Sequence, residues 1–264
     1  MSFKIPEISF KITNSAPIIP GTTVPSFGAK KSGKEAATNT LKQSKNNPAV
    51  SSLLVENQPV KNPLKFIDKY VNKEVVQHAL ETNPNIKAFL EYRKIPVVIS
   101  EKNIDSSLKR HLFTTYLYAI EIAKQSKLDP ETTKKIAQAA LVHDIGKALI
   151  PESIIQKPGK LTPDERDIVH LHSILGAEIL RTTDIDPEIA DAIGNHHTHT
   201  KHSKSNVISR VLAVADVYSA LKEQRPYKEP MTDDKAFELM FNMPRLSQKY
   251  VKNLAQHRYM TKLF

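Results

Sequence analysis

The chain has 264 residues, 40% of them hydrophobic, which is enough for one or two domains with a real core. It has no cysteine, which excludes disulfides, iron–sulfur clusters and thiolate zinc sites, and its 7 glycines argue against a Gly-rich turn architecture. The net charge of +10 is spread over dispersed lysines without an aromatic-interleaved basic stripe, so specific nucleic-acid binding is not expected. No apolar run reaches transmembrane length and the N-terminus lacks the apolar core of a secretory signal, so a cytoplasmic protein without a membrane segment is expected.

Residues 1–60 scatter Pro, Ser, Thr, Asn and Lys among sparse apolar residues without helical spacing. Such a composition predicts a flexible tail. A short alternating piece, Phe3-Lys4-Ile5 and Ile8-Ser9-Phe10-Lys11-Ile12, offers a second reading as an arm that adds a strand to a partner protein. Over residues 61–104, Phe66, Ile67, Tyr70, Val71, Val75, Val76, Ala79, Ile86, Phe89 and Leu90 predict two or three short helices that lead into a main domain over 105–264.

Helical periodicity continues through that main domain, so the folded part should be all-α. From Asp105 to Gln125, Leu108, Leu112, Leu117, Ile120 and Ala123 form an apolar side, and His111 lies within the segment. Leu141-Val142-His143-Asp144-Ile145-Gly146-Lys147 ends an apolar run with an adjacent imidazole and carboxylate. Taken alone, that pair also fits a polar helix end with Gly146 as its stop. Thr162, Pro163 and Glu165 form a capping box before a helix carrying Ile168, Leu171, His172, Leu175 and Ile179. Asp186 and Pro187 open a short helix that ends in His196-His197. Asp216 stands inside Val211-Leu212-Ala213-Val214-Ala215-Asp216-Val217-Tyr218. A lone carboxylate in so apolar a helix costs several kcal/mol unless it is paired or metal-bound.

Any one of these residues would more often be structural. Together His111, His143, Asp144, His172, His196, His197 and Asp216 form a set with too many ligands for one tetrahedral ion and enough for two that share a carboxylate. Imidazole and carboxylate without thiolate suit iron, manganese, zinc or cobalt. Two such ions a few Å apart can generate a hydroxide nucleophile and clamp the oxygens of a phosphoryl group.

His143-Asp144-Ile145-Gly146-Lys147, then Pro158-Gly159-Lys160-Leu161-Thr162, His172 with Gly176, His196-His197, Ala215-Asp216-Val217-Tyr218 and Arg225-Pro226-Tyr227-Lys228 follow one another in the order of an HD-GYP domain. Between Asp105 and Met243 the chain resembles that branch of the HD-domain metal phosphohydrolases, which degrades cyclic di-GMP. The resemblance implies an HD-domain helical bundle with two divalent transition-metal ions, iron or manganese foremost. It implies the seven residues above as ligands, Asp144 as the bridge, and Lys147, Arg225 and Lys228 as contacts to the substrate phosphate.

The pattern also departs from the family. The Gly-Tyr-Pro motif after the His-His pair is missing, and Thr198-His199-Thr200-Lys201-His202-Ser203-Lys204-Ser205-Asn206 runs directly into the next helix. Ser219 stands where the family has a second Asp, and Ser107 where some members carry a Glu for a third metal. His199, Lys201, His202 and Lys204 read equally as phosphate contacts or as a solvated loop. The expectation is a metal-dependent phosphodiesterase of a nucleotide, with Asp144 and Lys147 in catalysis and cyclic di-GMP as the leading substrate. Hydrolysis of another nucleotide, or a non-catalytic HD-domain signalling module, stays open.

Overall fold

Proline and asparagine set the starts of the first helices in the computed structural model, which describes residues 58–198, 206–224 and 229–260. Pro63 opens α1 (Pro63–Tyr70), where its missing N–H costs nothing. Asn72 accepts from the Val75 amide and caps α2 (Lys73–Thr82); Asn83 accepts from the Asn85 amide and caps α3 (Pro84–Tyr92). These helices bury Ile67, Tyr70, Val76, Ala79, Leu80, Ile86 and Leu90. Two or three short helices are expected after residue 61, and three are present; of the tail over 1–60, residues 1–57 lie outside the described residues.

Two longer helices and a later one form the centre. Helix α4 (Ser106–Gln125) starts at Asp105, whose carboxylate accepts from the Ser107 and Leu108 amides. Its expected apolar side, Leu108, Leu112, Leu117, Ile120 and Ala123, is buried throughout. Helix α5 (Pro130–Val142) is capped by Asp129 and packs along α4. Helix α10 (Val207–Lys222), opened by a reciprocal Asn206–Ser209 cap, lies against both. Between α5 and α10 come a 3-10 turn (Ile145–Leu149), the short α6 (Glu152–Ile155), α7 (Pro163–His170), α8 (His172–Leu180) and α9 (Pro187–Gly194). Helices α11 (Asp233–Phe241) and α12 (Gln248–Met260) close the described part, α12 packing on α4. Every regular element among the described residues is helical, so the fold is all-α as expected.

The helix expected to run on from Thr162 through Ile179 is broken in two. The capping box at Thr162 forms as anticipated, but α7 stops at His170 and α8 begins at His172. Two side chains cause the break by taking carbonyls that the helix ladder would use. His172 Nδ1 donates to the Val169 carbonyl at 2.6 Å, and Ser173 Oγ donates to the His170 carbonyl at 3.0 Å.

Gly146 does not act as a helix stop, because α5 ends at Val142 and the chain tightens into the 3-10 turn instead. It permits close approach. A Cβ at Gly146 would overlap the His172 carbonyl oxygen and stand 2.5 Å from the Gly176 amide nitrogen. The 3-10 turn therefore presses its backbone onto the start of α8. At Gly176 a Cβ would meet nothing closer than 3.4 Å. Gly146→Ala should cost about 3 kcal/mol, lowering the thermal midpoint by about 10 °C, whereas Gly176→Ala should be close to neutral. Calorimetry of the two variants separates these outcomes; equal effects would show that the close approach does not matter.

Glu121 of α4 is buried with only 2% of its surface exposed. Its Oε1 has no hydrogen-bond partner among the described residues, and the His257 Nε2 atom is 3.8 Å away. Burial pushes the Glu121 carboxyl up to about 7, against the opposing pull of the Arg258 charge. A carboxyl raised in the fold holds its proton while the unfolded chain has already lost its own near pH 4.3, so stability falls as pH rises toward about 7. Glu121→Gln keeps the shape and removes this slope. It should raise the thermal midpoint by about 5 °C at pH 8 and hardly at all at pH 4.

Candidate metal centre

Five helices and one turn deliver the seven expected residues to one place. His111 comes from the second turn of α4 and Asp216 from the middle of α10. His143 caps the end of α5, and Asp144 follows it. His172 is the first residue of α8, and His196 and His197 follow the last turn of α9. His111, His143, Asp144, His172 and His196 are all buried, with His143 at 0% exposure.

Three of the histidines are oriented by one device. His143 Nδ1 donates to the Ala140 carbonyl at 3.0 Å, His172 Nδ1 to Val169 at 2.6 Å, and His196 Nδ1 to Ile193 at 2.6 Å. Each acceptor lies three residues earlier, near a helix end where carbonyls lack ladder partners. A ring that donates from Nδ1 in its neutral form presents a bare lone pair at Nε2. Among the described residues, His143 Nε2 and His196 Nε2 are buried without a hydrogen-bond partner. Leaving such an atom unsatisfied costs about 1–3 kcal/mol. His172 Nε2 and His197 Nε2 face each other at 3.1 Å, a pair that needs a proton or a cation between them.

The ligand atoms form overlapping clusters around Asp144. His111, His143 and Asp216 form one triad, His172, His196 and His197 another, and His143, Asp144 and His196 a third that joins them. Asp144 Oδ2 lies 3.5 Å from His111 Nε2 and 3.4 Å from His143 Nε2, while its Oδ1 lies 3.1 Å from His172 Nε2. Asp216 Oδ1 is 3.1 Å from His111 Nε2 and 3.7 Å from His143 Nε2. Donors held about 2.1 Å from one ion stand about 3–3.4 Å from each other, so these spacings suit metal coordination. The orphaned imidazole nitrogens and the nitrogen–oxygen donor set both fit divalent transition metals.

Charge in the site follows from these contacts. Burial alone would raise the Asp144 carboxyl, but His143, Lys147 and His172 outweigh it and hold the group well below the usual carboxylate range. Asp216 is likewise held low against its burial by His111 and His143. Burial pushes His196 down to about 3 and His197 well below its ordinary value, with neighbouring imidazoles adding to both shifts. Burial lowers His111 too, yet its carboxylate partners Asp216, Glu223 and Asp144 prevail and lift it to about 9.

Lys147 reaches back from the 3-10 turn and places Nζ 2.5 Å from Asp144 Oδ2. The other two expected phosphate contacts, Arg225 and Lys228, lie outside the described residues, as do His199, Lys201, His202 and Lys204. Ser107 is exposed at the start of α4, where its amide binds the Asp105 cap. Two supporting residues escaped the sequence reading. Asn103 Nδ2 donates to the Lys147 and Ile150 carbonyls at 2.9 and 2.8 Å and so pins the turn that carries Asp144 and Lys147. Glu223 Oε1 accepts from His111 Nδ1 at 2.6 Å. Neither residue sits in a pattern that marks it.

A family model described as HD domain matches residues 102–250, slightly wider than the span of the resemblance. The cyclic di-GMP phosphodiesterase response regulator RpfG of Xanthomonas campestris is 34% identical over 131 residues, covering 46% of this chain and 35% of the relative. The 3'3'-cGAMP-specific phosphodiesterase 2 of Vibrio cholerae is 34% identical over 161 residues, covering 56% of this chain and 31% of the relative. The chain thus spans about a third of the length of these curated relatives. Among solved structures, Bd1817, an HDG"Y"P protein from Bdellovibrio bacteriovorus, shares the fold with a TM-score of 0.54 at 13% identity, covering 85% of this chain and 81% of its own. With its helical architecture and with most of its length matched, the chain belongs to the HD-domain family.

Proposed function

We propose that this chain is a metal-dependent phosphodiesterase acting on a nucleotide, with cyclic di-GMP as the leading substrate. The observation that carries the reading is Asp144, whose Oδ2 faces His111 and His143 while its Oδ1 faces His172. His111, His143, Asp144 and Asp216 would hold one divalent ion, and Asp144, His172, His196 and His197 the other. Iron or manganese fits a site of imidazole and carboxylate donors without sulfur. When bound, the ions supply an acidified water and polarise the phosphate oxygens.

The chain's own groups do the rest. The buried imidazoles and carboxylates keep bulk water away from the reacting phosphorus. Lys147, whose side chain is 24% exposed beside the buried Asp144, stays accessible to a phosphate oxygen and neutralises the charge that grows on it. Arg225 and Lys228 are assigned the same task from the segment after α10. The relatives named above act on cyclic di-GMP and on 3'3'-cGAMP, which supports a cyclic dinucleotide as the substrate class. The short run from Thr198 to Asn206, without a Gly-Tyr-Pro motif, favours weak discrimination among such substrates. A partner protein bound through the N-terminal tail is the further interaction this reading allows.

Elemental analysis should find about two transition-metal ions per chain. Asp144→Ala should lose both, because it removes the anion shared by the two groups, while His196→Ala should lose one. A wild-type protein that takes up no transition metal would overturn the site reading.

Lys147→Ala should keep its metal and lower kcat by about 100-fold or more on cyclic dinucleotides, since it removes one charge that acts on the transition state. Linear dinucleotides and nucleoside polyphosphates complete the substrate panel, with His143→Ala as the baseline. If the metal-loaded wild type turns over none of them faster than His143→Ala yet binds a nucleotide, the chain is a signalling module and the catalytic reading fails.

A further inference from the structure

We infer that Glu223 is the positioning residue for the His111 ligand, and that it fills this role because position 219, one helical turn earlier, is a serine. The inference rests on the metal-centre reading proposed above. His143, His172 and His196 find their Nδ1 acceptor in their own backbone, at carbonyls near helix ends. His111 has no such option. It sits inside the 20-residue helix α4, where the carbonyls of the preceding turn belong to the helix ladder. Its Nδ1–H needs an acceptor from another element.

Helix α10 supplies one. Asp216 and Ser219 lie at i and i+3 of that helix, on one face, and Glu223 caps its C-terminal end with extended backbone. Asp216 Oδ1 stands 3.1 Å from His111 Nε2, and Glu223 Oε1 stands 2.6 Å from His111 Nδ1. The ring is thereby held between a carboxylate inside the helix and one at its C-cap. Ser219 Oγ is 3.5 Å from the same Nδ1, fully buried, and too far for a good hydrogen bond. A carboxylate at position 219 would meet that nitrogen directly; with serine there, the carboxylate arrives from the end of α10 instead. Glu223 is partly open, with 24% of its side chain exposed, so its charge is only partly desolvated. A carboxylate on Nδ1–H fixes the tautomer, aims Nε2 at the ion and makes the ring a stronger donor than a backbone carbonyl would.

The test measures manganese and cobalt binding by chelator competition, with metal stoichiometry and the cobalt visible spectrum, on the full chain. The proteins are wild type, Glu223→Ala, Glu223→Gln and the double variant Ser219→Asp with Glu223→Ala. Circular dichroism confirms equal helicity. Glu223→Ala should bind one ion as the wild type does and the other about 10- to 100-fold more weakly. Glu223→Gln, which keeps an acceptor oxygen, should fall between them. The double variant should regain most of the affinity and the wild-type cobalt spectrum, a recovery that a role in packing alone would not produce. Unchanged affinity in Glu223→Ala, or no recovery in the double variant at native helicity, overturns the inference. Should the wild type bind no metal at all, the metal-centre reading fails first and the Glu223 role falls with it.

Discussion

A carboxylate buried as deeply as Asp144, at 2% exposure, survives only if the protein surrounds it with cations and donors. The fold is arranged to do this. Asp144 stands where α5 gives way to the 3-10 turn, and α4, α8, α9 and α10 bring their polar residues to that point from different directions. The apolar surroundings are visible on two of them: α10 buries Val211, Leu212, Val214 and Ala215 around Asp216, and α4 buries Leu108 and Leu112 around His111. Packing and site are therefore one problem. The helices can approach only if the polar groups neutralise one another or share an ion.

The close contact at Gly146 shows how tightly this is set. His172 occupies a kink between α7 and α8, and the 3-10 turn carrying Lys147 presses on the backbone of that residue. Asn103 holds the other side of the turn through two carbonyls. The turn is thus packed directly against His172 and pinned at Lys147 and Ile150, which places Asp144 among the imidazoles.

Much of this was legible in the sequence because it rests on local rules. Thr162 and Asp186 read as helix starts, and each is a helix cap in the structure. The seven polar residues stood out because imidazole and carboxylate are costly on apolar faces, and the structure brings all seven together. What remained hidden depends on contacts between distant segments. The break at Leu171 comes from side chains of His172 and Ser173 turning back onto their own backbone, a choice that periodicity does not report. Gly146 resembled a helix stop because its neighbour Gly176 is thirty positions away in the chain and adjacent only in space. Glu223 is a polar residue at a helix end, the commonest place for one, and only its distance to His111 gives it meaning.

The candidate metal centre and the segment that follows His197 differ in how they are built, which bears on the proposed selectivity. The residues of the candidate centre sit on helices or within three residues of a helix end, where backbone hydrogen bonds and packing determine side-chain direction. The segment from Thr198 to Asn206 connects α9 to α10 without a helix pattern of its own. The residues on either side of it are fixed locally: the Ile193 carbonyl orients His196, and Asn206 caps α10. A chain can therefore keep the atoms that act on a phosphate while it alters those that read the rest of the substrate. Under the proposed function Lys147 belongs to the first group, since it is anchored to Asp144 within the turn itself. On that proposal phosphodiester chemistry and dinucleotide preference would be separable, and the missing Gly-Tyr-Pro motif would bear only on the second.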